Sequence, residues 1–134
     1  MRIETGMLEV EFTDDAASLW RIGVRGGTRS ISLRAPVVEI DGQADTIKPA
    51  KFTRIGEAKR FSDGVVEHVV SGTCPEGLEL KVILRIAEDS PVVRFCYVIS
   101  SSRERRLTKS AGKDSLSYLS FSLLGFDRTK ELRF

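Results

Sequence analysis

The chain has 134 residues, of which 41% are hydrophobic and 30% charged, with 21 Lys and Arg against 19 Asp and Glu for a formal net charge of +2. That balance describes a folded domain with one core rather than a disordered tail, and the length leaves little room for a second domain. So even a charge is a poor footing for nucleic-acid binding, and one histidine with two cysteines rules out a zinc site made of His and Cys from this chain alone.

The chain opens on Met1-Arg2-Ile3-Glu4, whose carboxylate stands where a secretory signal needs an unbroken apolar stretch. From there most segments repeat every two residues, the period of a strand with one dry and one wet face. Leu8, Val10 and Phe12 alternate with Glu9 and Glu11. Residues 20–24, 30–33, 37–40 and 50–55 are shorter strand candidates, and 65–70 is rich in β-branched side chains. Leu78, Leu80, Val82, Leu84 and Ile86 alternate with Glu79, Lys81 and Arg85, the clearest strand of all. Residues 92–99 are apolar at nearly every position, which predicts a strand covered on both faces and makes Cys96 a small buried hydrophobe. Leu119, Phe121 and Leu123 alternate with Ser120 and Ser122.

Turn formers punctuate these runs: Asp14-Asp15, Gly26-Gly27, Asp41-Gly42, Asp63-Gly64, Glu76-Gly77 and Asp89-Ser90-Pro91. Asp41-Gly42 and Asp63-Gly64 suit type I′ hairpin turns, which need positive φ. No window of a dozen residues carries a helical apolar stripe; the best, residues 54–61, contains Gly56. The expectation is an all-β, antiparallel β-sandwich of about nine strands occupying residues 1–134 as a single domain, because one sheet that wide would leave an apolar face bare. With no apolar run long enough to span a bilayer and no disulfide framework, the expected location is the cytoplasm. A pairing of Cys74 with Cys96 is geometrically open but has no support in the sequence.

Constellations that carry catalysis are missing from the sequence. Gly23, Gly26 and Gly27 lack the lysine and helix of a phosphate loop. His68 is the only imidazole, and its setting between Val66 and Val70 favours a satisfied or partly exposed sheet histidine over a general base. The adjacent carboxylates Asp14-Asp15 and Glu88-Asp89 fall at strand ends, where neighbours point to opposite faces and cannot converge on one bond. The candidate ligand-binding residues are Trp20, as a platform for a sugar ring, and Arg105, Arg106 and Lys109 in the basic loop 103–113. Solvation of the loop and burial of the lone Trp are the competing explanations. No metal and no cofactor is expected.

Four segments, Gly6-Met7-Leu8-Glu9-Val10-Glu11-Phe12, Leu33-Arg34-Ala35-Pro36-Val37-Val38-Glu39-Ile40-Asp41-Gly42, Glu88-Asp89-Ser90-Pro91-Val92-Val93-Arg94-Phe95, and Leu107-Thr108-Lys109-Ser110 through Ser117-Tyr118-Leu119-Ser120-Phe121, together resemble the N-terminal region of the family 36 glycoside hydrolases, the α-galactosidases and their relatives. The resemblance implies an antiparallel β-supersandwich placed before a catalytic (β/α)8 barrel that holds both catalytic aspartates. No catalytic residue is carried over to this chain. The implied partners are that barrel, a second subunit in a homo-oligomer, and an α-galactoside bound through the parent enzyme. The chain is then expected to be a piece of a longer enzyme, cut near Lys130-Glu131-Leu132-Arg133-Phe134, with sheets that need not be complete. A self-standing carbohydrate-binding or protein-interaction β-sandwich is the alternative, and a small hydrolase or isomerase using His68 with a carboxylate is a distant third.

Overall fold

In the computed structural model, the described residues are 1–15 and 18–109, together with the strand pairing of 119–120 and 123–124. They form an all-β, antiparallel, sandwich-like fold, as the two-residue periodicity predicts. The first sheet comprises β1 (Arg2–Glu4), β2 (Leu8–Phe12), β3 (Trp20–Val24) and β4 (Ser30–Leu33). The hairpin β5 (Val37–Ile40) and β6 (Gln43–Thr46) begins a smaller sheet. The third sheet holds β7 (Thr53–Arg54), β8 (Lys59–Arg60), β9 (Val65–Thr73), β10 (Leu78–Ala87) and β11 (Val93–Ser101), in the order β11-β10-β9-β7 with β8 also on β9.

The last expected strand divides in two. β12 (Leu119–Ser120) pairs with β5 in the small sheet, and β13 (Leu123–Leu124) pairs with β4 in the first. Backbone bonding thereby carries the chain from one sheet to another within a few residues. The basic loop beyond Lys109 and the segment 130–134 lie outside the described residues.

Alternation decides what is buried. Leu8, Val10 and Phe12 of β2 face inward between half-covered Glu9 and Glu11. Along β10, Leu80, Val82 and Leu84 are fully enclosed. Aromatic rings then join the sheets. Trp20 on β3 meets Phe95 on β11 edge-on at 5.0 Å between centroids, and its Nε1–H donates to Tyr97 Oη at 2.8 Å. Phe12 stacks on Trp20 at 5.9 Å and touches Phe52 at 4.8 Å, extending the aromatic row through the interior. Burial pushes the Tyr97 phenol up to about 12, so its oxygen stays protonated while it accepts from Trp20.

Two turns show how local chemistry sets register. Asp41 and Gly42 both take positive φ, 52° and 83°, as the type I′ turn between β5 and β6 requires. At Asp63-Gly64 only the glycine is left-handed, with φ 80°, and Gly64 N–H donates to Phe61 O at 3.1 Å. The expected type I′ turn is therefore replaced by a turn whose last residue is a left-handed glycine, with Asp63 Oδ1 accepting from Val65 N–H. Gly72 answers a different demand. A Cβ there would run into Pro49 and the Lys51 carbonyl, which cross directly over β9.

Two expectations fail on β11. It is not covered on both faces: Val93, Phe95, Tyr97 and Ile99 are half-buried, while Arg94, Cys96 and Val98 are exposed. Cys96 is consequently a surface thiol and not a core residue, and Cys74 is the buried one; both are free. Apolar character on every position is a property of the sequence, whereas coverage depends on what packs outside.

Replacing Tyr97 by Phe removes the acceptor of a buried indole N–H and is expected to lower unfolding free energy by about 1–3 kcal/mol in urea titration. Val98→Thr, on the exposed face, should stay within about 0.5 kcal/mol of the parent chain. Equal effects of the two changes would contradict the Trp20–Tyr97 contact.

Candidate functional site

The described part of the basic loop, residues 102–109, folds as an arm against the β5–β6 turn. Asp41 makes the clasp. Its Oδ1 accepts from Arg106 N–H at 3.0 Å and its Oδ2 from Arg105 Nη1 at 3.1 Å, while Asp41 N–H donates to Arg106 O at 2.8 Å. Thr108 N–H donates to Glu39 O at 3.1 Å, and Thr108 Oγ1 accepts from Gly42 N–H at 2.9 Å. Left-handed backbone at Asp41 and Gly42 aims these groups outward at the arm.

Glu76 completes the clasp from the turn between β9 and β10. It too has positive φ, 57°, and its carboxylate accepts from Arg105 Nη2 at 2.9 Å and from Arg103 at 3.4 Å. The Arg106 amide and then the Arg105 guanidinium hold the Asp41 carboxyl below its usual range, and Glu76 and Asp41 raise Arg105 in return. Arg105 Nε, by contrast, is buried with no hydrogen-bond partner among the described residues. The geometry ties Arg105 down as a strut.

Behind the arm opens a cleft of about 360 Å³. Its wall and floor are aliphatic: Val38 and Ile40 from β5, Leu78 from β10, Ile99 from β11 and Leu107 from the arm. Ser100, Ser101, Arg103 and Glu104 line its polar side.

The four predicted ligand-binding residues do not converge. Trp20 is a correction: it is fully buried at the junction of the sheets, so neither ring face can meet a sugar. Arg105 is largely enclosed and already bonded to two carboxylates. Arg106 enters the clasp through its backbone, and its side chain is exposed, as is that of Lys109. Sequence reasoning took Asp41 and Glu76 only as turn formers. The available signal was that both stand before a glycine and both are acidic, but nothing in the order of residues says that two such turns meet one arginine.

His68 sits on β9 opposite Leu84, half-buried, with Nδ1 buried and without a hydrogen-bond partner among the described residues. It is the partly exposed sheet histidine that the sequence allows, though not a satisfied one. Burial first, and the Arg54 charge second, lower its pKa below the ordinary 6.5. Burial likewise pushes the Cys74 thiol up to about 11, which removes it as a thiolate nucleophile near neutral pH. Among the described residues no cluster of three His, Cys, Asp or Glu can hold a metal ion, and no helix is long and apolar enough to cross a membrane. Comparison with protein-family models, curated proteins and solved structures finds no match to the chain.

Two outcomes follow from this geometry. Asp41→Gly keeps the positive φ but deletes both carboxylate acceptors, so amide exchange at Arg106 should quicken at least about tenfold while the global unfolding midpoint barely moves. Unchanged protection at Arg106 would contradict the clasp. For His68, the folded state disfavours the proton relative to the unfolded chain. Stability should therefore hold above pH 6.5 and decline as pH falls through and below that value. His68→Leu should remove that part of the decline in pH-dependent urea melts. The loss tied to Asp41 and Glu79, whose pKa values are lowered from 3.8 and 4.5, should appear only at more acidic pH and survive the substitution.

Proposed function

We propose that this chain acts by contact rather than by catalysis, as the non-catalytic N-terminal β-sandwich of an α-galactosidase-like glycoside hydrolase of the cytoplasm. In this proposal it packs on a (β/α)8 barrel that carries the retaining hydrolysis, and it contributes to contacts between subunits. The observation that carries the proposal is the condition of β11. Its inward side chains Val93, Phe95, Tyr97 and Ile99 pack on the core yet stay half-exposed, and Val98 is exposed on the strand's other face. A flank of that kind is what a domain presents to a neighbour.

Electrostatics support the same reading. Glu9, Glu11, Glu67, Glu76 and Asp41 each lie in an ion pair with an arginine, so these carboxylates are engaged in holding the surface together. A general acid needs the opposite setting, an apolar one that favours the proton. The alternative, a self-standing carbohydrate-binding sandwich, loses its sugar platform with the burial of Trp20.

The test pairs two assays on the purified chain. No hydrolysis of p-nitrophenyl α-galactoside is expected, whereas added in trans the chain should raise the soluble yield of a family 36 barrel expressed without its N-terminal domain. Turnover by the chain itself, abolished by changing one carboxylate, would overturn the proposal. So would calorimetric binding of galactosides that Arg106→Ala weakens.

A further inference from the structure

We propose that the cleft behind the arm is a binding site for the aliphatic portion of a small uncharged ligand. The inference is independent of any packing partner. It rests on the shape of the cleft, on its lining, and on how the neighbouring charges are spent.

Shape comes first. An engineered cavity of roughly 150 Å³ accommodates benzene, so a cleft of about 360 Å³ accommodates about a dozen non-hydrogen atoms. It also falls within the size of ordinary ligand pockets, which are mostly apolar with a few placed polar groups. The wall is preformed. Five hydrogen bonds between the arm and the β5–β6 hairpin, namely those of Arg105, Arg106, Asp41, Thr108 and Gly42 described above, hold Leu107 in position before anything binds. Leu107 is 61% exposed on that rigid arm, with Ile99 half-covered across from it and Val38, Ile40 and Leu78 buried beneath. A leucine fixed in water beside an aliphatic floor gains by receiving an apolar group.

Charge then selects the class of ligand. Arg105 lines the cleft, and an unpaired guanidinium would call for a carboxylate or phosphate. Its two terminal nitrogens are spent, Nη1 on Asp41 and Nη2 on Glu76, and its remaining Nε–H is buried, so its charge is already paired with two carboxylates. Arg103 also leans on Glu76, and Glu104 adds a negative charge at the same edge. An incoming anion meets carboxylates that already hold the local cations, and an incoming cation meets those cations. A neutral ligand pays neither cost. Ser101 Oγ accepts from Arg103 N–H and keeps its own proton to offer a hydroxyl or carbonyl oxygen, whereas the Ser100 hydroxyl already donates to Glu79.

The experiment titrates the labelled chain with 1-hexanol and, separately, with hexanoate, following methyl signals by NMR. Hexanol should shift Val38, Ile40, Leu78, Ile99 and Leu107 saturably, with a Kd of about 1–10 mM for a probe of that size. Hexanoate should bind no more tightly. Leu107→Asp changes an exposed residue, so the fold should persist while hexanol affinity falls at least fivefold. Absence of saturable shifts, shifts spread over other apolar surfaces, or undiminished binding by Leu107→Asp would each overturn the site. Tenfold tighter binding of hexanoate would overturn the assignment to uncharged ligands.

Discussion

The fold depends on one buried polar contact set in an aromatic junction. Trp20 stands on β3 in the first sheet and Tyr97 on β11 in the third, 77 residues apart in sequence, and the indole N–H donates to the phenol oxygen. Rings alone fill space without fixing it. A hydrogen bond between them adds direction, and leaving its donor unpaired in the interior is costly. With Phe12 and Phe52 extending the row on one side and Phe95 beside Tyr97 on the other, the position of one sheet over the other is specified along the aromatic line. The enclosed Leu80, Val82 and Leu84 supply bulk burial around it.

That junction also divides the molecule by role. Among the described residues, Phe12, Trp20 and Phe52 are spent inside on cohesion, while Phe61 stays nearer the surface with Lys59 and Arg85 over its ring. Paired charges cover the wet faces of the sheets, as with Glu67 and Arg85 on neighbouring strands. Such exposed pairs stabilise little and mainly keep the face compatible with water. Where a charge is drawn into the structure, as at Arg105, it arrives with two carboxylates and serves to lock an arm. The half-exposed side of β11 and the aliphatic cleft are then the surfaces still able to gain by contact, which is why the proposed roles fall there.

Strands with a dry face were legible in the sequence. Leu8, Val10 and Phe12, or Leu78 through alternate residues to Ile86, leave no doubt because burial imprints a two-residue period. Strands without one were not: β6 is exposed at all four positions and β8 at both, so their pairing rests on backbone bonds that any residue can make. Residues 92–99 misled for the converse reason, since an apolar run shows willingness to be covered and not the cover itself. The clasp was invisible because 64 residues separate Asp41 from Arg105, and turn chemistry alone explained Asp41 fully. Loop residues with the right charge were recognised, and the fact that the charge was already spent was not.

Trp20 is the only tryptophan, so its fluorescence reports on the junction alone. Acrylamide quenching of the native chain, measured with and without an α-galactoside, is the most direct test. An interior Trp20 predicts blue-shifted emission, quenching far weaker than in the urea-unfolded chain, and no response to sugar. Emission quenched as freely as in the unfolded chain, or shielded by the galactoside, would place the indole at a binding surface and contradict the account.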